Sequence, residues 1–286
     1  MDTLLQLVTL LVIGMATGGL SGLFGVGGGF ILVPLLTLTG IPIKSAIALS
    51  LAYIIGTGLM GVFRHFRQQT VDPILALSLS ISAIFTAQIG VQITVHLPSN
   101  LLKLLFGLLT ISMAIIYSLW KPSAPLPAPA EPVRSEEQAT RRNFWEIMQR
   151  VVSKKIAGQE YHYRFNLLGG VAIGAVVGLI SGMFGVGGGF LMVPMMVMLL
   201  KIPMKIAVGT SLLSVIAPAL SASFGLWMAG RLELGLLPAL LLGGLIGVQI
   251  GVKLMLHTRE HILKLSFNGL LLTVSGYMLL LGLELI

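Results

Sequence analysis

The chain has 286 residues, of which 56% are apolar and only 10% charged, and its formal net charge is +8. A soluble domain has about a quarter of its residues charged, because its surface faces water. The composition therefore excludes an ordinary soluble domain and predicts an all-α integral membrane protein. The absence of cysteine excludes disulfides and thiol chemistry.

Uncharged stretches follow one another along most of the chain. The longer ones meet the requirement of about 20 apolar residues for crossing a hydrocarbon core, and they have to be helical because no water satisfies the backbone there. The pattern predicts five elements in each half of the chain. They are 3–24, 28–40, 44–63, 73–96 and 100–120, then 165–184, 188–200, 203–229, 234–256 and 260–283. The second element of each half is too short to cross alone.

The two halves carry the same motif. Ser21–Leu36 reads SGLFGVGGGFILVPLL and Ser181–Met196 reads SGMFGVGGGFLMVPMM, with eleven of sixteen positions identical. The match continues after a one-residue shift, so that Ser50 pairs with Ser211. A duplicated membrane unit is typical of secondary transporters. We therefore predict an N-terminal transmembrane repeat over 1–120, a linker over 121–164 and a C-terminal transmembrane repeat over 165–286.

The basic residues predict that the two halves have opposite orientations. Arg64 and Arg67 share one loop and the linker is basic, so both segments are expected to be cytoplasmic. A parallel second half would add only Arg231 to that side. An inverted second half adds Lys201, Lys205, Lys253, Arg259 and Lys264. An inverted repeat needs an odd number of crossings per half, either five or three plus a re-entrant hairpin.

The linker has two parts. Pro122–Pro132 is proline-rich and is expected to be an extended spacer. Glu136–Gly158 mixes apolar and basic residues in a spacing that predicts an amphipathic helix on the cytoplasmic leaflet, with an irregular tether as the alternative.

A glycine cluster in each motif predicts a break in a helix. Successive glycines destabilise a helix and permit backbone angles that are closed to other residues, so a new helix should begin at Phe30 and at Phe190. Helix N-termini bind anions without a charged side chain. We therefore expect two N-termini aimed at one midplane substrate site. Its glycines are Gly25, Gly27, Gly28, Gly29, Gly185, Gly187, Gly188 and Gly189. The glycines spaced four apart before each cluster (14, 18, 22 and 174, 178, 182) predict close helix packing instead.

Hydroxyl and amide side chains on neighbouring helices are expected to complete the site. No carboxylate, Lys or Arg lies deep in a predicted span, so the ligand is either neutral or held by backbone dipoles, which favours a small oxyanion. The expected ligand residues are Ser50, Thr210, Ser211, Gln88 and Gln249, and Ser21, Ser181 and Asn268 are further polar groups available. No metal or cofactor is expected.

Two carboxylates, Asp72 and Glu233, open the fourth element of each half. Capping of the helix N-terminus is one interpretation, since Asp accepts hydrogen bonds from the first backbone N–H groups. Proton coupling is the other interpretation. His65 and His96 lie at membrane boundaries, where an interfacial position is expected.

The sequence G-x-F-G-V-G-G-G-F-x-x-V-P occurs twice, at Gly22–Pro34 and at Gly182–Pro194. This doubled motif resembles the signature of the TauE/SafE family, also called the toluene sulfonate uptake permease family. The resemblance covers nearly all of the chain except the linker. It implies an inner-membrane carrier for sulfur-containing anions such as sulfite or organosulfonates.

The predicted function is thus secondary transport by alternating access, with the membrane and a small anion as partners and no role for nucleic acid. A passive anion channel is the alternative, with the glycine breaks lining a pore. A membrane enzyme is disfavoured because no span carries a nucleophile–base pair or a metal cluster.

Overall fold

Ten helices and one β-hairpin make up the part of the chain that the computed structural model describes, residues 2–119, 149–156, 159–231 and 235–283. The helices of the first half are α1 Asp2–Phe24, α2 Gly29–Leu38, α3 Ile43–Arg67, α4 Pro73–His96 and α5 Ser99–Leu119. Those of the second half are α6 Leu167–Phe184, α7 Gly189–Leu199, α8 Met204–Met228, α9 Leu237–His257 and α10 Glu260–Gly282. The strands are β1 Gln149–Ile156 and β2 Gln159–Asn166. The predicted elements are confirmed, with shifts of a few residues at their ends.

The outer surface of the bundle is apolar. Among the described helices, eight are long and apolar enough to cross a membrane, and α2 and α7 are the shorter ones. Large side chains such as Phe85 and Leu119 are 72% and 76% exposed. Such a surface is stable against lipid tails and not against water. The protein is therefore a multi-pass membrane protein, as its composition predicts.

Each half packs its first helix against the fourth helix of the other half. Helix α1 lies parallel to α9, and α6 lies parallel to α4. A Cβ atom added at Gly14 would lie 2.1 Å from the carbonyl oxygen of Leu240, and one at Gly182 would lie 2.0 Å from that of Ala87. Only glycine permits backbones to approach so closely. The predicted packing role of the glycines spaced four apart is confirmed.

The equivalent helices α3 and α8 run antiparallel where they meet. Gly61 lies against Leu212, whereas Gly58, one turn earlier on α3, lies against Ile216, one turn later on α8. Helices α5 and α10 are also equivalent, and they too are antiparallel, since Gly107 contacts Leu279 while Leu104 contacts Gly282. The two long helices α3 and α8 therefore cross in the middle of the bundle.

The short helices α2 and α7 turn back along the helices that precede them. A Cβ atom at Gly28 would lie near Thr17 and Ser21 of α1, and one at Gly188 would lie near Val177 and Ser181 of α6. The far end of α2 is hydrogen-bonded through Thr37 to Tyr277, near the end of α10. That end of α10 lies at the face of the bundle where α1 begins. Each motif thus forms a helical hairpin whose turn lies inside the fold.

Strands β1 and β2 form an antiparallel hairpin just before α6, with pairing from Gln149↔Asn166 to Ile156↔Gln159. The predicted helix over Glu136–Gly158 is wrong for 149–156, and the rest of that stretch and the proline-rich spacer lie outside the described residues. In β2 the aromatic residues Tyr161, Tyr163 and Phe165 alternate with polar residues, a period of two that favours a strand over a helix. The hairpin buries Ile156, Tyr163 and Phe165.

The hairpin closes over the start of α4. The hydroxyl of Tyr163 donates to Oδ2 of Asp72 at 2.7 Å, while Oδ1 of Asp72 accepts from the N–H groups of Ile74 and Leu75, both at 3.1 Å. Burial raises the pKa of Tyr163, and the bond to Asp72 acts in the same direction, so the phenol remains protonated as a donor. The capping interpretation of Asp72 is confirmed.

Lysine 154 adds a second contact between the hairpin and the same loop. Its ammonium group donates to the carbonyl oxygen of Val71. Burial lowers the pKa of Lys154, and the nearby carboxylate of Asp72 opposes that effect. Proton coupling by Asp72 stays a prediction, and its counterpart Glu233 lies outside the described residues.

Candidate functional site

The two glycine clusters adopt backbone angles that explain their composition. A positive φ costs other residues roughly 1–2 kcal/mol because Cβ approaches the following carbonyl oxygen, and glycine avoids this cost. In the first cluster φ is 71° at Gly25, 74° at Gly27 and 84° at Gly28. In the second it is 68° at Gly185, 67° at Gly187 and 77° at Gly188. The predicted helix breaks are confirmed, and α2 and α7 begin directly after them.

The two breaks lie against each other. The rings of Phe30 and Phe190, in the first turns of α2 and α7, are stacked with centroids 5.0 Å apart and an interplanar angle of 8°. A Cβ atom at Gly29 would lie 2.7 Å from the carbonyl oxygen of Gly185, and one at Gly189 would lie 2.7 Å from that of Gly25. The predicted meeting of the two short helices at one point is confirmed.

Two serines join the breaks across the repeat. The hydroxyl of Ser50 on α3 donates to the carbonyl oxygen of Gly185 at 2.5 Å. The hydroxyl of Ser211 on α8 donates to the carbonyl oxygen of Gly25 at 2.6 Å. Each half therefore supplies the serine that holds the other half's break, and both bonds are buried.

The breaks lie halfway along the two central helices. Ile54 packs against both Gly27 and Gly187, and Val215 packs against Gly27. These two residues stand at the midpoints of α3 and α8, each 25 residues long. A helix of that length spans about 37 Å, enough for a bilayer core with both ends at its surfaces. Gly27 and Gly187 thus lie near the middle of the bundle, while Gly25 and Gly185 lie against Val208 and Ile47, about 6 Å from the starts of α8 and α3 by the rise of a helix.

The meeting of two helix N-termini concentrates partial positive charge. Each N-terminus carries N–H groups without a partner inside its helix and the positive end of a helix dipole. No carboxylate occurs in the segments 3–43, 45–63, 165–200 or 206–230 that build the centre. Electrostatic interactions are strong in such an apolar setting. The arrangement is therefore complementary to an anion.

Two buried hydroxyls beside the breaks have no hydrogen-bond partner. They belong to Ser21 and Ser181, equivalent residues at the ends of α1 and α6, and both side chains are fully buried. A Cβ atom at Gly28 would lie 3.5 Å from Cβ of Ser21, and one at Gly188 would lie 3.5 Å from Cβ of Ser181. Leaving a buried hydroxyl unpaired costs about 1–3 kcal/mol, so two such groups in equivalent places point to a ligand.

Three of the predicted ligand residues hydrogen-bond to groups other than the breaks. Thr210 accepts a hydrogen bond from the backbone N–H of Asp72 at 3.0 Å. Gln88 donates to the hydroxyl of Ser221 at 2.9 Å, about 15 Å farther along α8 than Ser211 by the rise of a helix.

The third of these residues, Gln249, lies near the opposite end of the bundle from Gln88. Its Oε1 accepts from the guanidinium of Arg64, about 21 Å farther along α3 than Ser50 by the same rise. The structure thus joins the breaks to Ser50 and Ser211, whereas Thr210, Gln88 and Gln249 bond to Asp72, Ser221 and Arg64. Ligand binding by these three residues stays a prediction.

A tyrosine that the sequence pattern does not single out also lies at the first break. The hydroxyl of Tyr53 donates to the carbonyl oxygen of Gly14 at 2.7 Å and accepts from Thr17 at 2.9 Å. Its ring lies beside Gly28. The equivalent positions in the second half hold Ser214 and Val177, so the repeat gives no signal for this pair. The two breaks therefore differ in the side chains behind them.

Comparison with known proteins gives consistent results. The chain is 30% identical over 273 residues to the probable membrane transporter protein YunE of Bacillus subtilis, which covers 91% of this chain and 94% of that protein. It is 29% identical over 252 residues to YjnA of the same organism, another probable membrane transporter protein (82% and 88% of the two chains). A probable membrane transporter protein of Methanocaldococcus jannaschii is 28% identical over 217 residues, 73% of this chain and 68% of that protein. No solved structure matches the chain.

The family model that matches the chain is described as Sulfite exporter TauE/SafE, and it covers residues 10–278. That range contains both glycine breaks and all ten described helices in whole or in part. With a match over almost its whole length, the chain belongs to the TauE/SafE sulfite exporter family, and it is a membrane transporter.

Proposed function

We propose that the protein is a secondary carrier, and not an enzyme, that moves a small sulfur-containing anion across the inner membrane by alternating access. Sulfite and organosulfonates are the proposed substrates. One observation carries the proposal: two helix N-termini meet midway along the bundle, beside the unpartnered hydroxyls of Ser21 and Ser181. The substrate would lie between the two breaks, with backbone N–H groups and these hydroxyls as donors.

The proposal includes an inverted repeat. A twofold axis that relates antiparallel helices is perpendicular to them, and the equivalent helices α3 and α8 are antiparallel. For helices that cross a bilayer, such an axis lies in the membrane plane, as in many carriers. The helical hairpins α1–α2 and α6–α7 leave three long crossings in each half, an odd number. This topology fits the expected excess of basic residues on the cytoplasmic side.

The chemistry of the centre supports a small oxyanion over a cation or an organic acid with a long chain. Backbone N–H groups and serine hydroxyls donate hydrogen bonds to oxygen atoms, and helix dipoles stabilise negative charge. The residues around the breaks are fully buried and include Val26, Val186, Phe30 and Phe190. Such tight packing suits a ligand of a few atoms.

A carrier is favoured over a passive anion channel by the packing between the breaks. Ile54, Phe30 and Phe190 are each 0% exposed. A conducting pore needs a continuous path through the membrane, whereas a carrier passes through states in which its centre is closed. The structure thus supports a closed state of a carrier.

The serine hydroxyls allow a test that separates binding from folding. Ser21→Ala and Ser181→Ala each remove a hydroxyl that makes no hydrogen bond in the protein, so thermal stability should stay equal or rise. Sulfite affinity should fall about tenfold or more for each variant, because a hydrogen bond to a charged group contributes about 1.5–3 kcal/mol. Sulfite counterflow into proteoliposomes measures the effect.

Ser112→Ala is the matched control, because its hydroxyl is exposed and bonds only locally, to the carbonyl oxygen of Leu108. Its transport should equal that of the wild type. The central site is rejected if both buried serines can be replaced with no change in the sulfite KM. Single-channel currents carried by the wild type would reject the carrier in favour of a channel.

A further inference from the structure

The two ends of the central helices differ in charge. By the shift that pairs Ser50 with Ser211, Arg64 and His65 near the end of α3 correspond to Gly225 and Leu226 near the end of α8. A glutamine faces this position in both halves. At the first end it is Gln249, which accepts a hydrogen bond from Arg64. At the other end Gln88 lies against Gly225. The repeat thus has an arginine at one mouth and a glycine at the equivalent place in the other mouth.

The charged end contains a cleft of about 780 Å³. The polar residues that line it are Arg64, Gln68, Gln249, Lys253 and His257. Among the described residues that line this cleft none is a carboxylate, so its charge is positive. Pockets for small ligands have volumes of about 300–1,000 Å³, which leaves room here for an oxyanion with some of its hydration water.

A second cleft of about 370 Å³ adjoins the first and shares Leu256 and His257 with it. It adds Lys205 and Arg259, and one carboxylate, Glu260. Clefts lined by charges of one sign raise the local concentration of the opposite ion and its rate of binding by about 10–1,000-fold. This face of the protein can therefore collect small anions from the solution beside it.

The larger cleft is close to the central break. Val252 lines the cleft and also touches α1, since a Cβ atom at Gly22 would lie 2.8 Å from its backbone nitrogen. Gly22 follows directly after Ser21, whose buried hydroxyl has no partner. The side chain of His65, next to Arg64, is fully buried and lies against the backbone of Gly22. These contacts place the cleft next to the part of α1 that carries Ser21.

We propose that the Arg64 cleft is the anion-collecting entrance of the carrier and that it binds a small sulfur oxyanion, with Arg64 as the residue that determines specificity. The inference rests on the proposed function, because it assigns the entrance for the same substrate class. The guanidinium binds two oxygens of such an anion at once, a geometry that a lysine does not provide. Gly225, at the equivalent place in the opposite mouth, supplies no guanidinium, so this two-point binding of an oxyanion is available at one mouth and not from the equivalent residue of the other.

The test replaces Arg64 with the residue of the other repeat. Sulfite binding is measured by titration calorimetry on the full chain in nanodiscs of neutral phosphatidylcholine at low salt. Arg64→Gly should weaken binding at least tenfold, and Arg64→Lys should restore only part of it. The matched control is Arg67→Gly, which removes an arginine one turn later that stacks on Phe63, 4.5 Å from its ring centroid, and does not line the cleft. That variant should bind within twofold of the wild type.

A second variant keeps the test valid if Arg64→Gly does not fold. Lys253→Gln changes an exposed side chain of the same cleft and should weaken binding about threefold or more at low salt, and the loss should disappear at high salt. Sulfite binding by both cleft variants equal to that of the wild type overturns the entrance while leaving the central site intact. No sulfite binding or transport by the wild type overturns the substrate class itself.

Membrane lipid is the competing source of an anionic group. The alternative outcome is that Arg64→Gly changes sulfite binding only in nanodiscs that contain phosphatidylglycerol and leaves it unchanged in neutral lipid. In that case the cleft holds a lipid headgroup, and the proposed entrance is overturned.

Discussion

The glycine breaks at the centre of the bundle and the ends of α3 and α8 differ in how closely the two repeats match. At the centre the two halves match closely: each break has three positive φ angles, a serine from the other half and an unpartnered serine hydroxyl. At the ends they diverge, with Arg64 opposite Gln249 and glycine at the equivalent place. Alternating access needs two similar half-sites, because in an inverted repeat the two halves exchange conformations between the two states of the carrier. In the proposed carrier the two mouths would face different solutions and would have no such need.

The largest expected effect comes from adding a Cβ atom at the breaks. Gly25→Ala would place Cβ 2.4 Å from the carbonyl oxygen of Val208, and Gly185→Ala would place it 2.7 Å from the backbone of Ile47. Each substitution combines the cost of a positive φ with that of a clash with the other half, about 2–5 kcal/mol in total. Thermal unfolding in detergent should show a large loss of stability, of similar size for the two variants.

Glycines 40 and 230 are the matched controls. Both have positive φ, of 86° and 66°, and a Cβ atom there meets nothing within 4 Å. Their alanine variants should lose only about 1–2 kcal/mol, the cost of the backbone angle alone. Equal losses at all four positions would show that contact between the breaks contributes nothing to stability.

A smaller effect is expected from the serines that join the breaks. Ser50→Ala and Ser211→Ala each leave a buried glycine carbonyl without its donor, a loss of about 1–3 kcal/mol. The double variant should show coupling, since each bond fixes the break that the other break packs against. Unfolding midpoints of the three variants measure this. Strictly additive losses would mean that the two breaks are held independently.

The smallest effect should come from Tyr53 and Thr17, a pair behind the first break whose equivalent positions in the second half hold other residues. Tyr53→Phe removes a hydroxyl that bonds Gly14 and Thr17, and it should cost about 1 kcal/mol. Ser214→Ala, at the equivalent place in the second half, removes a bond to the carbonyl oxygen of Thr210 within the same helix and should cost less. A larger loss of stability from Ser214→Ala than from Tyr53→Phe in the same unfolding assay would contradict the idea that the side chains behind the first break stabilise it more.

Much of this architecture follows from the sequence because a membrane restricts the possible structures. Uncharged stretches have to be helices there, and consecutive glycines interrupt them, so the ten elements and both breaks could be predicted. The meeting of the breaks and the equivalence of Ser50 and Ser211 followed from the repeat, but the bonds of these serines to the carbonyl oxygens of Gly185 and Gly25 did not. The hydroxyl of Ser21 belongs to the same motif, but only the structure reveals that it lacks a partner.

Other features depend on contacts that no local pattern encodes. Gln88 and Gln249 are polar residues in apolar helices, which marks them as functional in general but does not say how far along the helix they lie from a break. The strands over 149–156 and 159–166 were not predicted, because the apolar residues of 149–156 also fit a helical spacing and the contact of Tyr163 with Asp72 is not visible in the sequence. Amphipathic short segments are ambiguous for this reason.

The packing of each half's first helix against the fourth helix of the other half has a mechanical consequence. Helix α1 packs against α9, and α6 against α4, with backbones in direct contact at glycines. Helices α3 and α8 meet through side chains at Gly58 and Gly61. We therefore expect the first two pairs to separate less readily than α3 and α8. A rigid body that swings during the transport cycle would then contain helices of both repeats, and its boundary would not coincide with the linker. Cross-linking α1 to α9 is expected to leave the cycle running, while cross-linking α3 to α8 is expected to stop it.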